Sequence, residues 1–222
     1  MTDTGPKETL IEVAIERLST DIVAGTLAPE QKLQIAELKE RYQIGASPLR
    51  EALSKLSSLG FVVFDSRRGF RVAPVSRADL EDLTQVRKLV ETEGLRLSIA
   101  AGNDEWDVGI VAATARLRRL GDRNKSGEEV PLGEVERVHR QFHLALVSGC
   151  NSRRLATLQE LFYDQAQRYR SVLLREGPPI DEFVDVHVQL AADVLSRNVD
   201  QACTALAAHI ELTLTGVCPP EG

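Results

Sequence analysis

A chain of 222 residues with 43% hydrophobic and 27% charged residues has enough apolar material for one large or two modest domains with real cores. No apolar run reaches membrane-spanning length, and the polar, acid-containing start is unlike a signal peptide, which leaves a cytoplasmic protein as the expectation. A net charge of -6 argues against a surface coated in positive potential, and Cys150, Cys203 and Cys218, odd in number and widely spaced, read as unpaired thiols rather than a disulfide frame or zinc knuckle.

The charge is unevenly placed. Residues 1–75 hold ten basic and ten acidic side chains, while residues 76–222 carry the whole excess of -6. Between Arg41 and Arg71 six basic residues face only Glu51 and Asp65, a local surplus of +4. A local basic stretch of this kind is the footprint of nucleic-acid binding inside an acidic chain.

After a polar segment over residues 1–8, Leu10, Val13, Ala14, Leu18, Ile22 and Val23 recur at helical intervals and predict a first helix, ended by Gly25 and a turn near Pro29. Residues 35–59 then read as two helices joined by a tight turn. Leu38 and Tyr42 share one face of the first, Gly45 offers the turn, and Pro48 falls in the first turn of the second, with Ala46 or Ser47 near its cap. Leu49, Leu53, Leu56 and Leu59 form a buried stripe and leave Arg50, Ser54 and Lys55 on other faces, as a recognition helix requires. Past Gly60, Phe61-Val62-Val63-Phe64 and Phe70-Arg71-Val72 are extended patterns around a turn that carries Arg67, Arg68 and Gly69, a β-hairpin with a basic tip. Taken singly, a Leu-rich helix with a few charges is an ordinary surface helix and two arginines an ordinary solvated turn. Their order favours a winged helix that reads DNA.

The stretch PEQKLQIAELKERYQIGASPLREALSKLSSLGFVVFDSRRGFRV resembles the winged helix of GntR-type bacterial transcription regulators, the likeness covering about residues 10–75. Pro29-x-x-x-Leu33, Pro48-Leu49-Arg50-Glu51-Ala52-Leu53, Gly60 and Arg68-Gly69 carry it. The resemblance implies that Ser47 and Arg50 contact the operator and that Arg68-Gly69 forms the wing tip. The family often has Ser-Arg where Gly45-Ala46 stand here, and the resemblance then implies one base or phosphate contact fewer and a different operator preference.

From Ser76 onward the pattern is helical. Ser76 to Asp79 has capping-box spacing, and Leu80, Leu83, Val86, Leu89, Val90, Leu95, Leu97 and Ile99 continue a long helix. Further helices are expected over 104–120, 132–148, 152–174, 180–196 and 199–215, with 121–130 a polar loop and breaks at Gly149-Cys150-Asn151, Gly177-Pro178-Pro179 and Asn198. The expected fold is therefore mainly α: a winged helix-turn-helix DNA-binding domain over 1–75 and an all-α helical bundle over 76–222.

All four histidines lie in this second region. His139 and His143 share a helical face, and His187 and His209 lie in the last two helices. Neutral imidazoles from three helices can surround zinc or another borderline divalent ion, although a solvated face or satisfied core histidines explain each position separately. The region resembles the FCD effector domain of the FadR-type branch of these regulators over about 76–214, and that resemblance implies a metal held by an Asp, a Phe-His and two later histidines. Phe142-His143, His187 and His209 match, with twenty-one residues between the last two, and His139 stands where the family has Asp. Zinc is the leading ion and nickel the next. A four-imidazole site contributes no negative charge, so an anionic effector could complete the shell.

Arg87 resembles the family's Arg-x-x-x-Glu, in which it would clamp an effector carboxylate; an Arg87–Glu91 helix pair is the competing reading. Arg168 and Arg170 are weaker effector candidates, and Tyr163 and Tyr169 either line the same cavity or only pack between helices. The expectation is a homodimeric regulator, a repressor more than an activator, on near-palindromic double-stranded operator DNA, answering to a small organic acid such as a dicarboxylate. Two rival classes compete with this reading. A metal-dependent enzyme would use Glu134, Glu136 or Glu160 as base, but His139-Arg140-Gln141-Phe142-His143 lacks the glutamate of His-Glu-x-x-His. A winged helix that binds protein is disfavoured by the basic surplus.

Overall fold

The computed structural model describes residues 9–173 and 179–217. Their elements run α1 (Leu10–Val23), α2 (Ile35–Tyr42), α3 (Ala46–Ser58), β1 (Val62–Asp65), β2 (Gly69–Val72), α4 (Arg77–Ala101), α5 (Asp104–Lys125), α6 (Leu132–Val147), α7 (Arg153–Leu173), α8 (Ile180–Leu195) and α9 (Val199–Val217). The chain divides into two compact units, Met1–Ser76 with Gln167–Val172, and Arg77–Ala166 with Leu173–Gly222. The first contains a helix-turn-helix followed by a wing, the second is all helical.

In the first unit α1 starts at a capping box: the Thr9 hydroxyl accepts from the Glu12 N–H at 3.2 Å, and the Glu12 carboxylate accepts from the Thr9 N–H at 2.8 Å. The α1 stripe of Ala14, Leu18 and Ile22 packs on α3, whose Leu49, Ala52, Leu53 and Leu56 are buried. α2 is tied to α1 by polar contacts. The Tyr42 hydroxyl donates to Asp21 at 2.5 Å, Arg41 pairs with the same carboxylate at 2.7 Å, and Arg17 donates to the Tyr42 carbonyl at 3.1 Å. Burial and the Asp21 carboxylate together push the Tyr42 phenol well above its ordinary range.

The turn between α2 and α3 differs from the expected one. Gly45 is extended, with φ -63° and ψ 160°, and serves as the N-cap of α3; the left-handed residue is Gln43, at φ 57°. Its N–H closes α2 on the Lys39 carbonyl, and its side chain donates to the Glu40 carbonyl at 2.7 Å. Reversal at the exposed Gln43 lets the next residue, Ile44, enter the core at 5% exposure. Sequence reading assigned the reversal to glycine because glycine bears no steric cost there.

β1 and β2 pair antiparallel from Val62↔Val72 to Asp65↔Gly69. The Asp65 carboxylate accepts the N–H groups of Arg67 at 2.7 Å and Arg68 at 3.1 Å, and these bonds hold its pKa below the usual carboxylate range. Gly69, at φ 77°, closes the turn in a conformation that a side chain would strain. Leu33 donates to the Phe70 carbonyl and Ala73 to that of Phe61, which fastens the hairpin to the segments before and after the helix pair.

The second unit contains α4–α6, α8, α9 and most of α7 around a core that includes Leu95, Ile99, Trp106, Ile110, Leu117, Phe142, Leu146, Val194, Leu206 and Ile210. Asn103 caps α5 by accepting from the Trp106 N–H at 3.0 Å. The Trp106 indole N–H donates to the Ala145 carbonyl of α6 at 3.0 Å, and a Cβ at Gly149 would stand 3.2 Å from the indole ring. The polar stretch expected as a loop over 121–130 is helical as far as Lys125. Gly121 is buried beside Val184, and Arg123 pairs with Glu128 and Glu134, so the helix is held beyond its last large apolar residue, Leu120. Cys150 and Cys203 are free thiols; Cys218, the segment 1–8 and the expected break at Gly177-Pro178 lie outside the described residues. Among the described residues no helix is long and apolar enough to cross a membrane.

Leu53 is fully buried where α1 meets α3. Leu53→Ala should lower the stability of the first unit by about 2–5 kcal/mol, read as lost amide-exchange protection in α1 and α3. Unchanged protection would show that this contact does not hold the helices together.

Candidate metal centre and nucleic-acid interface

On α3 the leucine stripe turns inward, and Ser47, Arg50, Ser54 and Lys55 are exposed. The Ser47 hydroxyl donates to Glu51 one turn on at 3.2 Å. Arg67 and Arg68 are exposed at the hairpin turn, with Gly69 beside them. The first unit therefore offers one helix face and one hairpin tip, both carrying cations and neither needed for its core. Phe64, 61% exposed, stacks obliquely on Phe70 at 4.8 Å and adds an apolar surface to the wing that sequence reading assigned only to the strand pattern.

The second unit brings the four histidines together. Spacing of four residues stacks His139 and His143 on the face of α6 that also buries Phe142 and Leu146; α8 supplies His187 and α9 His209. The first three are buried and His209 half-buried. One ligand nitrogen from each lies within 4.8 Å of the others. The Nε2 of His143 is 3.0 Å from that of His139 and 3.2 Å from that of His209. Zinc–nitrogen bonds of about 2.0–2.1 Å place tetrahedral donors about 3.3 Å apart and adjacent octahedral donors about 2.9 Å apart, so these separations fit ligands that share one ion. The His187 Nδ1 lies 2.5 Å from the Phe183 carbonyl oxygen, which can only accept. Neutral His187 is thus protonated on Nδ1 and keeps a lone pair on Nε2.

Two further charged groups are buried beside the quartet. Arg87 pairs with Glu91 of the same helix at 2.7 Å, with side chains 3% and 1% exposed, and its guanidinium lies 5.8 Å from the centre of the Tyr163 ring. The other Glu91 oxygen is 3.4 Å from the His143 Nδ1. Burial pushes the Glu91 carboxyl up, but Arg87 and His143 outweigh it and hold the group below the usual carboxylate range. Tyr163 stacks 5.6 Å from His139 and 5.5 Å from His143. The competing reading of Arg87, a helix ion pair, is the arrangement found.

Of the remaining effector candidates, Arg168 is engaged elsewhere: its guanidinium donates to the carbonyls of Ala73 at 2.9 Å and Pro74 at 3.0 Å and lies over the Tyr169 ring. Glu134 pairs with Arg123, and Glu160 with Arg140, so neither is poised as a base; Glu136 lies 3.9 Å from the His139 Nδ1. Sequence reading did not anticipate the neighbours on the outer side of the rings. Glu91 is remote in sequence from His143, and the Phe183 carbonyl is backbone that no residue type advertises; only its i−4 position before His187 was visible.

Residues 10–72 match the family described as bacterial regulatory proteins, gntR family, and residues 82–212 match the FCD domain. The chain is 34% identical to the HTH-type transcriptional regulator BphR of Paraburkholderia xenovorans, over 94% of its own length and 85% of that protein. It is 35% identical to the HTH-type transcriptional repressor GlaR of Escherichia coli, over 87% of its own length and 89% of the relative. Among solved structures, E. coli McbR/YncC superposes with a TM-score of 0.78 over 93% of this chain and 96% of that one; at 19% identity the likeness is one of fold.

The buried Arg87–Glu91 pair makes a prediction about stability. Glu91→Ala leaves a buried guanidinium without its carboxylate and should cost about 3–5 kcal/mol in urea unfolding, whereas the double variant Arg87→Met/Glu91→Leu should recover most of that loss. A single variant as stable as the parent would mean that the pair is solvated in solution.

Proposed function

The chain belongs to the GntR family of bacterial regulatory proteins, with an FCD domain, and is a DNA-binding transcriptional regulator with a small-molecule effector domain rather than an enzyme; from that premise we propose that it is a homodimeric repressor whose effector, a small organic acid, binds at a divalent metal held by His139, His143, His187 and His209. The observation that carries the metal is the convergence of one nitrogen from each of four histidines in a buried space. Two neutral imidazole lone pairs at 3.0 Å repel unless a proton or a cation lies between them, and the outward-turned Nδ1 of His187 favours the cation. When bound, such an ion supplies a Lewis-acidic site for an oxygen ligand.

The class of effector follows from charge. The four protein donors are neutral, and Glu91 is already balanced by Arg87, so a divalent ion would leave about two positive charges in a low-dielectric surround. A carboxylate ligand offsets them, a dicarboxylate more fully. Zinc suits four imidazoles best, with nickel next. Arg87 could turn to the ligand only by giving up Glu91, so Tyr163, whose ring lies against two of the histidines, is the better placed of the proposed effector contacts.

On the DNA side, Ser47, Arg50 and Lys55 would enter the major groove, and Arg67, Arg68 and Gly69 would reach the adjacent backbone or minor groove. Two copies would read the halves of a near-palindromic operator, and the effector would act by binding unequally to two arrangements of the dimer. The sign is taken from the resemblance to the repressor GlaR.

Selection of bound duplexes from fragmented genomic DNA tests the operator, and enrichment of no sequence would sink the regulator's proposed mode of reading. Arg50→Ala should weaken the selected site by about 1–3 kcal/mol while leaving metal content unchanged. Zinc at a hundredfold excess over its Kd should raise the stability of the parent protein by about 2.7 kcal/mol, a gain absent in His187→Ala. Equal metal content in parent and His187→Ala would remove that histidine from the ligand set.

A further inference from the structure

The four histidines differ in what lies behind them. His187 is fixed from its own helix, by the Phe183 carbonyl. His139 has the Glu136 carboxylate 3.9 Å from its Nδ1, on the same helix. His143 is different, because the group behind its Nδ1 comes from α4, where Glu91 is held in turn by Arg87. Nothing in α6 dictates that neighbour. A carboxylate buried to 1% exposure also needs a reason to be retained, since an apolar pair would fill the same volume with less desolvation cost.

A histidine that binds a metal through one nitrogen commonly donates its other N–H to a carboxylate or carbonyl, which fixes the tautomer and ring plane and makes the ligand more basic. The row Arg87–Glu91–His143 places a carboxylate where such an acceptor would stand. Arg87 occupies one carboxylate oxygen at 2.7 Å; the second lies 3.4 Å from the His143 Nδ1. An ionised carboxylate only accepts, so the imidazole proton is drawn to Nδ1 and the lone pair is left on Nε2, the nitrogen that meets His139 and His209. The backbone carbonyl of His143 is also engaged, accepting from the Gln159 amide at 2.7 Å, so the residue is held at both ends.

We propose that Glu91 is a positioning residue of the metal centre: anchored by Arg87, it holds His143 as the Nδ1-protonated tautomer and thereby presents Nε2 to the ion. This deepens the metal reading above and rests on it. It also gives the Arg87-x-x-x-Glu91 pair a role toward the ion, in place of a direct clamp on the effector.

The test uses the full-length protein and zinc. Zinc affinity is measured by competition with a chromophoric chelator in the parent, in Arg87→Met/Glu91→Leu, which removes the acceptor while filling the volume, and in Arg87→Met/Glu91→Gln, which restores an acceptor oxygen without charge. The apolar double variant should bind zinc about 10–100-fold more weakly, and the glutamine variant should regain part of that loss. Nitrogen-15 imidazole spectra of the zinc-loaded parent should show His143 protonated on Nδ1 and coordinating through Nε2. A proton on Nε2 of His143 overturns the proposal, as does an apolar variant whose affinity stays within about twofold of the parent. Should the apolar variant fail to fold, the parent's spectrum alone decides. Failure of the parent itself to take up zinc would defeat the underlying metal reading, a result distinct from either of these.

Discussion

Two imidazole lone pairs that meet at 3.0 Å in a buried space repel unless a proton or a cation lies between them. That constraint governs the second unit. Each ring is aimed by the helix that carries it and largely kept from solvent by its neighbours. α6 contributes two rings because residues four apart lie above one another, while α8 and α9 contribute one each. The aromatic side chains around them, Phe142, Tyr163 and Phe183, restrict the rings without competing for their nitrogens. Burial is costly for four separate polar groups, and the proposed ion would offset that cost by satisfying the four together.

The first unit resolves the opposite problem, since its cations must remain outside. α3 packs its apolar residues on α1 and leaves its polar face toward solvent, and the wing is held from behind by main-chain bonds to residues 33 and 61 and at its tip by Asp65, so neither uses the arginine side chains. The arginines at the tip therefore stay available. The net negative charge of the chain comes from residues 76–222, whereas residues 1–75 sum to zero.

Much of this was legible in the sequence. The leucine stripe of α3, the hairpin after Gly60 and the i,i+4 histidine pair all follow from local periodicity, which a single chain displays directly. The late histidines were matched to them through resemblance, because spacing along separate helices does not reveal convergence. What stayed hidden was tertiary or energetic. The proximity of Glu91 to His143 depends on how α4 packs beside α6. The left-handed turn fell on Gln43 because Ile44 must be buried, a demand of the core rather than of glycine chemistry. The extension of α5 to Lys125 comes with ion pairs between Arg123 and residues beyond the helix end, and Arg168 is engaged by two carbonyls on a segment distant in sequence.

Trp106 carries a practical consequence. It is the chain's single tryptophan, buried at 5% exposure, and its indole nitrogen is bonded to a carbonyl of α6, the helix that bears His139 and His143. Close approach of Gly149 leaves the ring little freedom to reorient. The protein thus contains its own optical label, one chromophore whose emission originates next to the helix on which two of the four imidazoles are mounted, with no competing tryptophan signal from the DNA-reading unit.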